Sequence, residues 1–113
     1  MFPETDTVTV VATCRRPDGY PLEGWIYFEA TEPHITYQGS VLVRTATRAS
    51  VSEDGTVRVQ LLDPHASGVE PSGWNYRVTE AFMGAETNVY TVEIPADTDP
   101  DDRLQLGTLT RVT

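Results

Sequence analysis

The 113-residue chain contains no lysine, and all eight of its basic side chains are arginines. Without a lysine amine the chain cannot form a Schiff base, use a lysine as general base or make a lysine cross-link. Seventeen acidic residues leave a formal net charge of −9 at pH 7. Nucleic acids and anionic membranes are bound through basic surfaces, so this charge argues against either as the main partner.

Cysteine, histidine and long apolar runs are also scarce. Cys14 is the single cysteine, so no intrachain disulfide forms. His34 and His65 lie in separate loops, where a zinc site would need two more convergent ligands. We therefore expect no cofactor. No apolar run approaches the roughly 20 residues that span a bilayer, and the opening MFPETDTVTV lacks the basic and apolar regions of a signal peptide. We expect neither membrane insertion nor a cleaved leader.

Alternation of apolar and polar residues with a period of two runs through most of the chain and indicates β-strands. Clusters of glycine, proline and acidic residues separate these segments, and residues 31–40 and 63–72 read as long connections. The predicted strands are Thr7–Cys14, Gly24–Ala30, an edge strand at Val41–Val51, Thr56–Leu62, Gly73–Phe82, Asn88–Ile94, and Leu104–Val112 interrupted by Gly107. The sequence therefore predicts one all-β domain over residues 1–113, a seven-stranded antiparallel β-sandwich of immunoglobulin-like or transthyretin-like type.

Two residues have unusual predicted positions within these strands. Cys14 falls on the apolar face of a first strand that we expect to be half-buried, where it acts as a small hydrophobic residue. Glu80 shares the parity of Trp74, Tyr76 and Val78, which directs a carboxylate towards the core. Either the strand has reached solvent at Glu80, or an arginine forms an ion pair with it.

An acidic loop near the end of the chain offers oxygen ligands. Asp97, Asp99, Asp101 and Asp102 lie within PADTDPDD, but this segment lacks the glycine and the distal glutamate of an EF-hand loop. We favour a solvated connector over a weak calcium site.

Aromatic residues cluster around the second predicted strand. Trp25 and Tyr27 share its outward parity, and Tyr20 lies in the loop before it. With Tyr37 and Trp74, the outward pair Trp25 and Tyr27 forms a candidate subunit interface or glycan platform. No nucleophile and base occur at a spacing that predicts catalysis, so we do not expect an enzyme.

Three segments resemble a known family: TVTVVATCRRPDGYPLEGWIYFEATEP, VSEDGTVRVQLLDPHASGVEPSGWNYRVTE and YTVEIPADTDPDDRLQLGTL. They are similar to the N-terminal modules of minor tail and tail-fibre proteins from bacteriophages of Actinobacteria, most specifically in VEPSGWNYRVTE. The resemblance implies a non-catalytic virion protein, assembled in the host cytoplasm with other tail or capsid subunits in a symmetric assembly. Family members often continue into a fibre with collagen-like repeats, which this sequence lacks.

That departure keeps open a protein that decorates the capsid surface. A second alternative, from the aromatic residues Trp25, Tyr27, Tyr37 and Trp74, is a carbohydrate-binding module that recognises a glycan of the host cell surface. For a virion subunit of this charge, we expect the docking partner to present a basic patch.

Overall fold

The computed structural model describes residues 2–42, 46–99 and 101–112. Within these ranges the chain forms strands and two short 3-10 turns, Glu4–Asp6 and Leu106–Thr108. The strands are β1 (Thr7–Thr13), β2 (Gly24–Ala30), β3 (Ile35–Tyr37), β4 (Ser40–Leu42), β5 (Thr47–Ser50), β6 (Thr56–Leu62), β7 (Val69–Glu70), β8 (Tyr76–Phe82), β9 (Asn88–Val92), β10 (Arg103–Gln105) and β11 (Arg111–Val112). The predicted all-β fold is confirmed. None of the described helical turns has the length or apolar character to cross a bilayer.

Three sheets make up a sandwich-like arrangement. A three-stranded sheet has the order β10-β1-β6, a five-stranded sheet the order β11-β9-β8-β2-β5, and a small third sheet the order β4-β3-β7. Most pairs are antiparallel, whereas β1 and β10 run parallel. One apolar core joins residues of all three sheets.

The core is built on the alternating residues of β2 and β8. Ile26 and Phe28 are buried on one side of β2, and Phe28 lies opposite the fully buried Val78 of β8. Burial of each such side chain contributes roughly 1.5–3 kcal/mol. The inward positions predicted for these two strands are confirmed, because the period of two leaves one parity for the core.

The first strand is more deeply buried than predicted. Val8 and Val10 face the core as expected, but Thr7 and Thr9 of the opposite parity are also buried. β1 is the central strand of its sheet, with β6 on one side and β10 on the other, so its neighbours shield both flanks. A half-buried strand was therefore the wrong prediction.

The segment predicted as a long connection, residues 31–40, instead contains a hairpin. β3 turns into β4 through Gln38 and Gly39, which both have positive φ angles of 48° and 84°. Positive φ at both central residues is the requirement of a type I′ hairpin turn. The predicted strand Val41–Val51 is consequently two strands in different sheets, with residues 43–45 outside the described ranges. Its β5 part is an edge strand, as predicted.

The end of the chain also differs from its prediction as one strand. β10 pairs with β1, the turn at Leu106–Thr108 follows, and β11 then pairs with β9 in the five-stranded sheet. The chain therefore passes from one main sheet to the other within a few residues. The predicted connection at 63–72 similarly contains β7, which pairs with β3. Because of these short pairings, the described residues form eleven strands instead of the seven predicted.

Candidate docking groove

A groove of about 720 Å³ opens at one end of the five-stranded sheet. Its walls come from the loop leading into β2, the segment that follows β5 and the turn after β8. The lining residues are Arg16, Tyr20, Pro21, Leu22, Glu23, Gly24, Trp25, Ser50, Val51, Ser52, Glu53 and Met83. We call this surface the docking groove.

The docking groove concentrates exposed apolar side chains. In the described part of the chain six large hydrophobic residues are exposed, and three of them line this groove. Tyr20 is 68% exposed, Met83 73% and Trp25 39%. Large apolar side chains gathered on one surface are typical of a recognition site, whereas single exposed residues are not.

Backbone hydrogen bonds join the walls of the groove. The Met83 amide donates to the Glu23 carbonyl at 2.8 Å, and the Val51 amide donates to the Gly24 carbonyl at 3.1 Å. Gly24 has a φ of +140°, and a Cβ there would lie 2.3 Å from the Ala81 carbonyl oxygen. A glycine is thus required for the start of β2 to approach the end of β8 so closely. This close approach brings Trp25 and Met83 into the same groove.

The loop from Arg16 to Leu22 is held by its own contacts. The Arg16 amide donates to the Tyr20 carbonyl at 2.7 Å, and the Leu22 amide donates to the Cys14 carbonyl at 3.0 Å. The Tyr20 amide also donates to an Asp18 carboxylate oxygen at 3.1 Å. Tyr20 is therefore exposed on a loop whose backbone is held in place by hydrogen bonds.

Some charged side chains along the groove have an ion-pair partner and others do not. Arg16 forms an ion pair with Asp18 at 2.8 Å, which neutralises the groove's arginine. Glu23 and Glu53 have no ion pair and no side-chain hydrogen bond within the described residues. The groove therefore presents two uncompensated carboxylates beside its apolar side chains.

The docking groove adjoins an open sheet edge. β5 pairs with β2 and with no other strand in the described ranges. Since Val51 bonds to Gly24 and the ladder alternates, Ala49 and Thr47 face β2, and the backbone groups of Arg48 and Ser50 point outward. Ser50 also lines the groove, so the open edge leads directly into it.

Arg48 covers part of the groove's main aromatic residue. Its guanidinium carbon lies 4.0 Å from the centroid of the Trp25 ring, in a cation–π contact. Arg48 and Trp25 both lie on the outer face of the sheet, diagonal to one another across β5 and β2. One face of the indole is thus already occupied by a protein group.

The four predicted platform residues do not share a surface. Trp25 and Tyr27 lie on the outer face of β2 as predicted, but Tyr37 and Trp74 are each only 8% exposed, within the core. The Tyr37 hydroxyl donates to the Asp6 carboxylate, which raises the pKa of Tyr37. Trp74 has the core-facing parity of Tyr76, and Tyr37 belongs to the β3–β4 hairpin that was predicted as a connection, so grouping these residues by aromatic type alone explains the error.

Trp74 is unsuited to surface recognition. Its ring packs edge-on against Tyr76, with centroids 5.1 Å apart. Its Nε1 is inaccessible and has no hydrogen-bond acceptor, so an external ligand cannot reach that nitrogen. Met83, which the aromatic clustering did not identify, lies in the groove instead. The sequence signal for it was an apolar residue in the turn that follows β8.

Glu80 lies on the core-facing side of β8, as its parity predicted, and is half-buried. Its carboxylate accepts hydrogen bonds from the Tyr90 hydroxyl at 2.7 Å and the Asn88 amide nitrogen at 3.4 Å. Glu80 forms no ion pair with an arginine among the described residues, so that alternative is wrong. Cys14 packs against the core, and burial, with a smaller contribution from Glu80, raises its pKa.

The other candidate ligands are dispersed. His34 is exposed, whereas the His65 Nε2 lies 2.9 Å from the Ile94 carbonyl oxygen. Asp99 accepts a hydrogen bond from the Asp101 amide, and Pro100 of the same loop lies outside the described residues. Across residues 2–42, 46–99 and 101–112, no three histidine, cysteine or acidic side chains converge on a metal position.

Comparison with protein-family models, with curated proteins and with solved structures finds no match to this chain.

Proposed function

We propose that this chain is a non-catalytic structural protein of a tailed-bacteriophage virion, in the minor tail or tail tip, which attaches to a neighbouring subunit through the docking groove. The observation that carries the docking role is the gathering of Tyr20, Trp25 and Met83 in one groove beside an open sheet edge. The virion context comes from the sequence resemblance described above.

The energetics of the groove suit protein–protein docking. Burial of a large apolar side chain contributes about 1.5–3 kcal/mol, so three such residues supply a central cluster of binding energy. The groove walls are joined by backbone hydrogen bonds, so little backbone conformational entropy is lost when a partner binds. The net charge of −9 favours a partner with a basic contact surface.

Recognition of a host glycan is the second candidate, and the exposed rings of Tyr20 and Trp25 favour it. A sugar stacks on an aromatic face, but Arg48 occupies a face of Trp25, and Tyr37 and Trp74 are buried. A sugar platform would therefore rest on Tyr20 and the remaining face of Trp25. Protein docking uses the apolar groove and the sheet edge as well, so we favour it.

Co-purification with the products of the adjacent genes tests the proposal. We expect the tagged wild-type chain to retain a tail subunit; retention of a capsid subunit would instead assign it to the capsid surface. The double variant Tyr20→Ser, Met83→Ser should lose this association while its thermal unfolding midpoint stays unchanged. Val89→Ser, which removes an exposed apolar residue outside the groove, is the matched control.

Two results would contradict the proposal. One is retention of no virion subunit by the wild-type chain. The other is equal retention by the wild-type chain and the Tyr20→Ser, Met83→Ser variant, which would remove the groove from the docking surface.

A further inference from the structure

We infer that the docking groove receives an extended segment of the partner protein, which adds to the edge of β5 and carries a basic side chain between apolar ones. This inference rests on the proposed docking function and specifies the chemistry of the partner. Three observations support it: the outward backbone groups of β5, the apolar groove that continues from them, and the unpaired carboxylates on its walls.

The edge of β5 supplies the backbone contacts. Arg48 and Ser50 direct their N–H and C=O groups away from β2, and no strand in the described ranges pairs with them. An added strand satisfies these groups with ladder hydrogen bonds, as in other complexes formed by β-strand addition. The edge offers two residues, so recognition also requires the side chains of the segment.

The alternation of an added strand determines where its side chains lie. A residue opposite Ser50 projects on the same face of the sheet as Ser50 and Trp25, since directly paired residues share a face. Beyond Ser50 the strand reaches the groove lined by Tyr20 and Met83. Apolar side chains of the segment thus find apolar partners at this end of the sheet.

The charge of the groove determines the polar side chain of the segment. Arg16 is neutralised by Asp18, while Glu23 and Glu53 remain unpaired in the described structure. A lysine or arginine of the segment satisfies them, whereas an acidic residue is repelled. A second copy of this chain is a poor occupant, because its net charge of −9 has the same sign as the groove's carboxylates.

The inference is tested by titrating the ¹⁵N-labelled chain with a capped seven-residue peptide that alternates valine and lysine. We expect saturable shifts at the amides of Arg48 and Ser50 and along the groove. Two control peptides separate the contributions. Replacement of lysine by glutamate should abolish binding, and N-methylation of alternate backbone amides should weaken it at least about tenfold, because ladder hydrogen bonds are lost.

Protein variants test the role of the carboxylates. Glu23→Gln with Glu53→Gln should weaken binding of the basic peptide about fivefold, as expected for two exposed charge contacts. Glu70→Gln with Glu93→Gln removes the same charge from exposed positions outside the groove and should leave binding within twofold. Equal weakening by both pairs would show a non-specific charge effect and overturn the inference.

Other outcomes also overturn it. One is that the basic peptide produces no saturable shifts, or shifts amides on another surface. Another is that the N-methylated peptide binds as tightly as the unmodified one. A third is that a chitin or peptidoglycan oligosaccharide, and not the peptide, shifts the groove amides. Failure here is distinct from failure of the proposed function. If Tyr20→Ser with Met83→Ser abolishes retention of the virion subunit while the peptide does not bind, docking stands and strand addition is wrong.

Discussion

The Tyr90 hydroxyl donates a 2.7 Å hydrogen bond to the Glu80 carboxylate across the β8–β9 ladder. The Arg111 guanidinium stacks over the Tyr90 ring at 4.0 Å instead of pairing with Glu80 directly. A half-buried carboxylate on the core face of a strand is thus satisfied by a neutral donor. Burial first, and then this hydrogen bond, raise the pKa of Tyr90 above its ordinary value of 10.0.

Tyr90→Phe should lower the free energy of unfolding by about 1–3 kcal/mol, because Glu80 loses its closest donor while remaining half-buried. Urea denaturation at pH 7 measures this. Tyr27→Phe is the matched control: the Tyr27 hydroxyl has no hydrogen-bond partner in the described part of the chain. An equal loss in the two variants would mean that the Glu80 contact contributes nothing specific.

The raised pKa of Tyr90 also predicts how stability changes at high pH. The folded state holds the phenol proton more tightly than the unfolded state, so the stabilisation is complete below pH 10 and declines as the pH rises towards the folded-state pKa. Buried Tyr76, whose pKa is raised by desolvation, contributes in the same direction. We expect urea midpoints to fall between pH 9 and 11, and to fall less steeply in Tyr90→Phe. Identical slopes would contradict this origin.

Gly24→Ala should be strongly destabilising, by about 3 kcal/mol or more. The new Cβ would lie 2.3 Å from the Ala81 carbonyl oxygen and 2.8 Å from the Phe82 Cα, both backbone atoms that cannot move without separating β2 from β8. Gly84→Ala is the control, since Gly84 also has positive φ but has open space around it. We expect it to cost about 1 kcal/mol, from backbone strain alone. Similar thermal shifts in the two variants would exclude the close approach.

The turn that connects β5 to β6, residues 51–55, should weaken in acid. Asp54 accepts hydrogen bonds from Ser52 and Thr56, and these lower its pKa from 3.8 to about 2. Its contribution is therefore present above pH 3.8 and is lost as the pH falls to about 2. Carboxyl-carbon NMR titration should give this low midpoint in the wild type and a midpoint nearer the ordinary value in Ser52→Ala. An ordinary midpoint in the wild type would contradict the hydrogen-bonded turn.

The long strands were predictable from residue alternation. β2 and β6 begin and end where the sequence indicates, because a period of two over seven residues has one interpretation when apolar residues occupy alternate positions. The β3–β4 hairpin was not predictable. Its turn uses Gln38 and Gly39 instead of the common Asn-Gly or Asp-Gly pair, and its strands are three residues long.

The candidate site was predictable in part. Trp25 was placed outward by its parity, whereas the groove around it forms from segments far apart in the sequence. Met83 joins it because its amide bonds to the Glu23 carbonyl, a contact that no local pattern encodes. Trp74 lies just before β8 instead of within the predicted strand Gly73–Phe82, and it is buried, as the parity it shares with Tyr76 indicated.

The sequence alone determined that this protein is acidic and all-β, because net charge follows from the composition and strand alternation is a local pattern of the chain. The tertiary structure decided which faces are covered, that Glu80 is paired with Tyr90, and that Tyr20, Trp25 and Met83 share one groove. These depend on contacts between residues distant in sequence, and a period of two describes two faces of a strand without saying what packs on either.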